Sequence, residues 1–132
     1  MPNRVVHFEI EADNADRAKK FYTEAFGWKM EQMGEDMMNY VVVTTGDPKE
    51  PGGINGGIFT SPPGEHERLN AYSCVIAVDN IDEAMKAVTD AGGKVMGEKM
   101  DIPTVGIYAK CQDTEGNNFS LLQASSDMAA AK

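Results

Sequence analysis

His7 and Glu9 stand two residues apart in VVHFEIEA, positions 5–12. The alternation reads as a half-buried β-strand. Phe8 and Ile10 point to one face, and His7, Glu9 and Glu11 to the other. An imidazole beside a carboxylate can do two kinds of chemistry. It can act as a general base near neutral pH, with the carboxylate raising its pKa and fixing a tautomer. It can also begin a metal site, which needs at least two further nitrogen, sulfur or carboxylate ligands. The structural alternative is a histidine that is merely hydrogen-bonded, with Glu9 and Glu11 solvated.

Other reactive residue types form weaker patterns. Cys74 and Cys111 lie in apolar strand-like runs and read as buried free thiols, not as a disulfide or a nucleophile. GGINGG at 52–57 is no phosphate loop, because no helix with a Lys-Ser/Thr pair follows. His66 sits in a charged, proline-rich stretch and reads as exposed. Tyr40, Phe59 and Tyr108 are candidates for an apolar pocket wall, or for ordinary packing. No serine-nucleophile or Cys-His hydrolase pattern can be placed. The stretches 33–38 and 100–104 are candidates to cover a pocket mouth.

The elements that position these residues occur twice. Shifted by 66 residues, positions 13–30 match 79–96 at nine of eighteen places: Asp13/Asp79, Asn14/Asn80, Asp16/Asp82, Ala18/Ala84, Lys20/Lys86, Thr23/Thr89, Ala25/Ala91, Gly27/Gly93 and Met30/Met96. Chance would give about one. A shared cap, helix and glycine stop in one register indicates internal duplication. Asp13 or Asn14 can cap the first helix, and Gly27 can end it in the left-handed conformation. Ala15, Ala18, Phe21, Tyr22, Ala25 and Phe26 form a stripe at helical spacing, expected to be core. Ile81, Ala84, Met85, Val88 and Ala91 repeat it before Gly92-Gly93.

Three strand-like pieces follow each helix: roughly 28–33, 39–45 and 56–60, then 94–100, 105–112 and 118–123. The fold class is therefore α+β, with two βαβββ modules in one chain. A single helix covers one face of each sheet. The expectation is that the curved mixed sheets turn their uncovered faces around a concave cleft. Residues 1–132 read as one domain, with repeats 3–60 and 70–123, a linker at 61–69 and a frayed tail at 124–132.

Composition narrows the partners. With 132 residues and 42% hydrophobic content, the chain can bury one real core. A net charge of −9 argues against nucleic acid and against an anionic membrane surface. No apolar run approaches the roughly 20 residues of a membrane span, and the first residues lack the apolar stretch of a signal peptide. A cytoplasmic protein is expected.

The sequences HFEIEADNADRAKKFYTEAFGW, VIAVDNIDEAMKAVTDAGGKV and DTEGNNFSLLQ resemble the vicinal-oxygen-chelate superfamily. This group includes glyoxalase I, bleomycin- and fosfomycin-resistance proteins and extradiol dioxygenases. The resemblance covers about residues 3–123 and is nearest to small glyoxalase-like proteins. It implies a small-molecule ligand and a homodimer. It also implies a divalent metal held by four side chains, one on the first and one on the last strand of each half. The matching positions are His7, Ser73, Gly57 and Ser120, so one of the four is a metal-binding residue type.

No metal or other cofactor is therefore expected. His7 and Glu9 are the candidate catalytic pair, and Gly57, Ser73 and Ser120 the remaining pocket positions. The expected function is binding or transformation of a small organic molecule without the family's metal centre. The alternatives are a lactoylglutathione-lyase-like or extradiol-type metalloenzyme using Glu9, water or substrate as ligand, and a non-catalytic sequestering protein.

Overall fold

A computed structural model describes residues 3–50, 52–60 and 71–125. The linker at 61–69, His66 within it and the end of the tail lie outside the described residues. Nine strands and two α-helices are described. They are β1 (Arg4–Glu11), α1 (Ala15–Phe26), β2 (Lys29–Gln32), β3 (Val41–Thr44), β4 (Asn55–Phe59), β5 (Ser73–Ala77), α2 (Ile81–Asp90), β6 (Lys94–Val95), β7 (Met100–Ile102), β8 (Gly106–Gln112) and β9 (Asn118–Ala124). None of the described helices is long and apolar enough to cross a membrane.

The chain forms two compact units. One runs from His7 to Tyr72, and the other from Ser73 onward, together with the first residues through Val6. In the first unit the strand order is β2-β3-β4-β1. The β1/β4 pair is parallel and the others antiparallel, so the sheet is mixed. In the second unit the order is β5-β9-β8-β6, with β7 also on β8. There β5/β9 is the parallel pair.

The two helices start alike because the same residue starts them. Asn14 Oδ1 accepts from Arg17 N at 3.0 Å, and Asn80 Oδ1 accepts from Glu83 N at 3.0 Å. Each side chain satisfies one of the amide groups that a helix start leaves unbonded, worth about 1 kcal/mol. Gly27, at φ 73°, closes α1 with its N–H on Thr23 O. Past α2 the left-handed position falls on Gly92, at φ 100°.

Each helix covers one sheet face. Phe8, Ile10, Ala12, Val41, Val43 and Ile58 form the first core, against Ala15, Ala18, Tyr22, Trp28 and Met30. Val78, Ile81, Ala109, Cys111 and Leu121 form the second, against Ala84, Met85 and Val88 of α2.

Four expectations change. Phe21 is 58% exposed and Phe26 62%, and Ala25 is also exposed, so the α1 stripe is core only at Ala15, Ala18 and Tyr22. Helical periodicity marks the apolar positions but not how wide a stripe the sheet can cover. Phe21 and Phe26 instead pack beside Tyr22, which stacks on Trp28 at a 5.0 Å centroid distance. The single strand expected at 94–100 is two short ones, because Gly97 at φ 87° turns the chain between them. Cys74 is exposed, while Cys111 is buried. Ala124 ends β9, and Ser125 N donates to Val105 O at 3.0 Å, so the ordered chain runs further into the expected tail.

Candidate functional site

The sheet register decides which side chains meet. In the first unit Glu9 lies opposite Gly57, His7 opposite Asn55, and Glu11 opposite Phe59. These residues share the face turned away from α1, since Phe8 and Ile10 belong to the helix-side core. His7, Glu9 and Gly57 therefore lie on one face of this sheet. Glu11 is 7% exposed, so the alternative that it is a solvated strand-end group does not hold.

Tyr40, just ahead of β3, joins this face. Its hydroxyl lies 2.9 Å from His7 Nε2. The two rings are nearly parallel, with an interplanar angle of 18°. Its ring and hydroxyl fill the space into which a side chain at Gly57 would project, so that even a Cβ there would overlap them. Glycine at 57 is what lets the phenol reach His7. Burial pushes the Tyr40 phenol well above its ordinary range, and the nearby Glu9 charge adds to the effect. Tyr40 is therefore a protonated phenol at neutral pH.

Burial lowers the His7 pKa from its ordinary 6.5. His7 is consequently neutral at pH 7. The consequence for stability has a definite sign. A depressed pKa in the folded state means that the unfolded chain takes up the proton first as pH falls. The folding free energy is expected to decline as pH drops through the ordinary histidine value toward the lower folded one. Denaturant melts of the protein and of His7→Phe across that interval check this. The stability of the unmodified protein relative to His7→Phe should fall on acidification, and a difference independent of pH would contradict this.

The second unit holds the other two positions. Ser73 and Ser120 are both buried, at 9% and 3% exposure. Ser73 Oγ donates to Asn118 O at 3.3 Å. Ser120 Oγ and Tyr108 Oη are 2.6 Å apart, a buried hydrogen bond. Val75 lies opposite Ser120 in β5/β9, just as Glu9 lies opposite Gly57 in β1/β4. The first-strand members of these pairs, 9 and 75, are related by the 66-residue shift, so the duplication holds at the level of strand register.

The tyrosines repeat as well. Val42 pairs with Gly57, and Tyr40 is two residues before Val42. Lys110 pairs with Ser120, and Tyr108 is two residues before Lys110. Each tyrosine is thus the diagonal cross-strand neighbour of a last-strand position, close enough for a long side chain to cover it. Sequence reasoning placed both only as wall candidates. They are 68 residues apart, so a gapless 66-residue shift does not superpose them, although Tyr-x-Val and Tyr-x-Lys could have been aligned on their strands.

The family's ion-binding pattern can be tested on these residues. At Gly57 the space for a ligand side chain is taken by Tyr40. Ser73 and Ser120 are neutral hydroxyls already bonded within the protein. No group of three or more His, Cys, Asp or Glu side chains among the described residues could hold a metal ion. The residue set does not fit a four-ligand centre. Cys111 offers no substitute, since burial raises its thiol pKa and keeps it protonated.

Known proteins share both sequence and fold with this chain. The family model for the Glyoxalase/Bleomycin resistance protein/Dioxygenase superfamily matches residues 4–121. CFP32 of Mycobacterium tuberculosis, named provisionally as a glyoxylase, is 33% identical over 117 residues, covering 87% of this chain and 42% of its own length. The chain thus spans less than half the length of that relative. A glyoxylase-like domain-containing protein of Didymella fabae is 28% identical over 118 residues, covering 86% of this chain and 88% of its own. Among solved structures, methylmalonyl-CoA epimerase from Mycobacterium tuberculosis superposes with a TM-score of 0.66 at 13% identity, over 96% of this chain and 91% of that one. A variant of the Streptomyces coelicolor epimerase gives 0.66 at 15% identity, over 96% and 97%. With the model match spanning nearly all of both modules, the chain belongs to the Glyoxalase/Bleomycin resistance protein/Dioxygenase superfamily.

Proposed function

We propose that this protein binds, or transforms, a small organic molecule on the face carrying His7, Glu9 and Tyr40, without a tightly held metal. The observation that carries this reading is the Tyr40 phenol lying over Gly57 and bonded to His7. A position that would hold an ion-binding side chain in metal-dependent relatives is here closed by a proton-bearing phenol. Neutral His7, the Glu9 carboxylate and the Tyr40 hydroxyl can each exchange a hydrogen bond with a polar ligand, and the Glu9 carboxylate can accept a proton from one. A reducing, cytoplasmic setting fits the two free thiols. Pairing with a second copy is carried over from the family resemblance.

The experiment combines elemental analysis of the purified protein with ligand-induced melting shifts. The panel contains methylglyoxal–glutathione adduct, for the glyoxylase-named relatives, methylmalonyl-CoA, for the structural neighbours, and neutral and cationic metabolites. The expected result is less than stoichiometric transition metal, at least one stabilising ligand, and a loss of affinity of about tenfold or more in His7→Ala, the scale of one or two lost hydrogen bonds. Turnover of the stabilising ligand would make the protein an enzyme, and stabilisation without turnover a sequestering protein. A stoichiometric metal retained through purification, or unchanged affinity in His7→Ala, overturns the reading.

A further inference from the structure

The imidazole of His7 has two nitrogens, and the structure engages one of them. Nε2 is bonded to the Tyr40 hydroxyl at 2.9 Å. That nitrogen is also the hydroxyl's hydrogen-bond partner among the described residues. Between a phenol and a neutral imidazole, the phenol O–H is the stronger donor and the ring nitrogen the stronger acceptor. The bond therefore runs from Tyr40 Oη–H to a bare Nε2, and the single ring proton of neutral His7 sits on Nδ1. Every fully buried side-chain nitrogen or oxygen among the described residues has a hydrogen-bond partner. Nδ1 has no partner among them, so it is not fully buried.

We propose that Tyr40 is a positioning residue that locks His7 as the Nδ1–H tautomer, so that His7 meets a ligand as a hydrogen-bond donor and not as a free basic nitrogen. The ligand chemistry that follows is an acceptor atom, a carbonyl, ether or hydroxyl oxygen, placed against Nδ1–H. A bound acceptor and Tyr40 would then hold the ring from both sides, the arrangement that fixes an imidazole most firmly. Glu9, on the same strand face, is the remaining group able to accept a proton there. The diagonal tyrosine of the second unit makes the same kind of contact, Tyr108 to Ser120 at 2.6 Å, so a phenol that reaches over a last-strand position is a built feature of both modules.

The ligand statement rests on the proposed function, but the tautomer does not. It can be read on the ligand-free protein. The chain has two histidines, so His66→Asn leaves one imidazole to observe. Nitrogen-15 NMR at about pH 8, above the ordinary histidine range, distinguishes a protonated from a bare ring nitrogen. The expected spectrum shows Nδ1 protonated and Nε2 bare. In Tyr40→Phe, which keeps the ring and removes only the hydroxyl, the tautomer ratio is expected to move toward Nε2–H by on the order of fivefold, the equivalent of one net hydrogen bond. A spectrum with Nε2 protonated in the unmodified Tyr40 background overturns the proposal, and so does an unchanged ratio in Tyr40→Phe. If Tyr40→Phe fails to fold, the first spectrum alone still decides. A confirmed tautomer with no ligand found by the melting panel would leave the tautomer assignment standing and remove both the proposed function and the ligand statement.

Discussion

Gly57→Ala is expected to lower stability by about 1–3 kcal/mol, the usual range for forcing an extra group into filled space. The position is buried, and the added Cβ would overlap the hydroxyl and ring of Tyr40. A tyrosine free to swing outward would absorb the intrusion at little cost. Tyr40 is not free, because its hydroxyl is bonded to His7. The substitution must therefore either displace the ring and break that bond or distort β4. A double-mutant cycle separates these outcomes. In a Tyr40→Ala background the penalty of Gly57→Ala should largely vanish, giving a coupling of about 1–3 kcal/mol by denaturant unfolding. Equal penalties in both backgrounds would mean that Tyr40 does not occupy the space over Gly57, and the proposed site would lose its central contact.

Ile58→Ala should cost more, about 2–5 kcal/mol. Ile58 is 0% exposed and packs among Phe8, Ile10, Val41 and Val43, so truncation removes apolar burial and leaves a cavity that two sheet strands bracket. Phe26→Ala is the informative control. Its side chain is larger, yet the residue is 62% exposed, and the expected loss is below about 1 kcal/mol. Urea unfolding of the two variants decides whether the apolar stripe of α1 is buried along its whole length. Comparable losses would restore Phe26 to the core, where helical periodicity alone had put it.

The contrast between those two residues shows how far the sequence carries. The Asn14 and Asn80 caps, the left-handed Gly27 and the alternation of β1 were all legible, because each is decided by a residue and its immediate neighbours. The duplication was legible for the same reason, since the repeated helix carries the same cap in the same register. Membership of the superfamily followed from those local signals in sequence, and the family match over residues 4–121 agrees.

What pairs across the sheet was not legible. Tyr40 covers Gly57 only because β3 and β4 meet with Val42 opposite Gly57, which places a residue before β3 diagonally over a strand that begins fifteen residues later. The exposure of Phe21, Phe26 and Cys74 and the burial of Glu11 likewise depend on what packs against each side chain. Sequence by itself determined the elements, their repetition and the loss of ion-binding residue types at 57, 73 and 120. The tertiary structure decided that a phenol fills one of those places and engages His7. Helix caps and strand alternation are local free-energy preferences, whereas strand register and the volume around a glycine come from chain segments meeting at a distance.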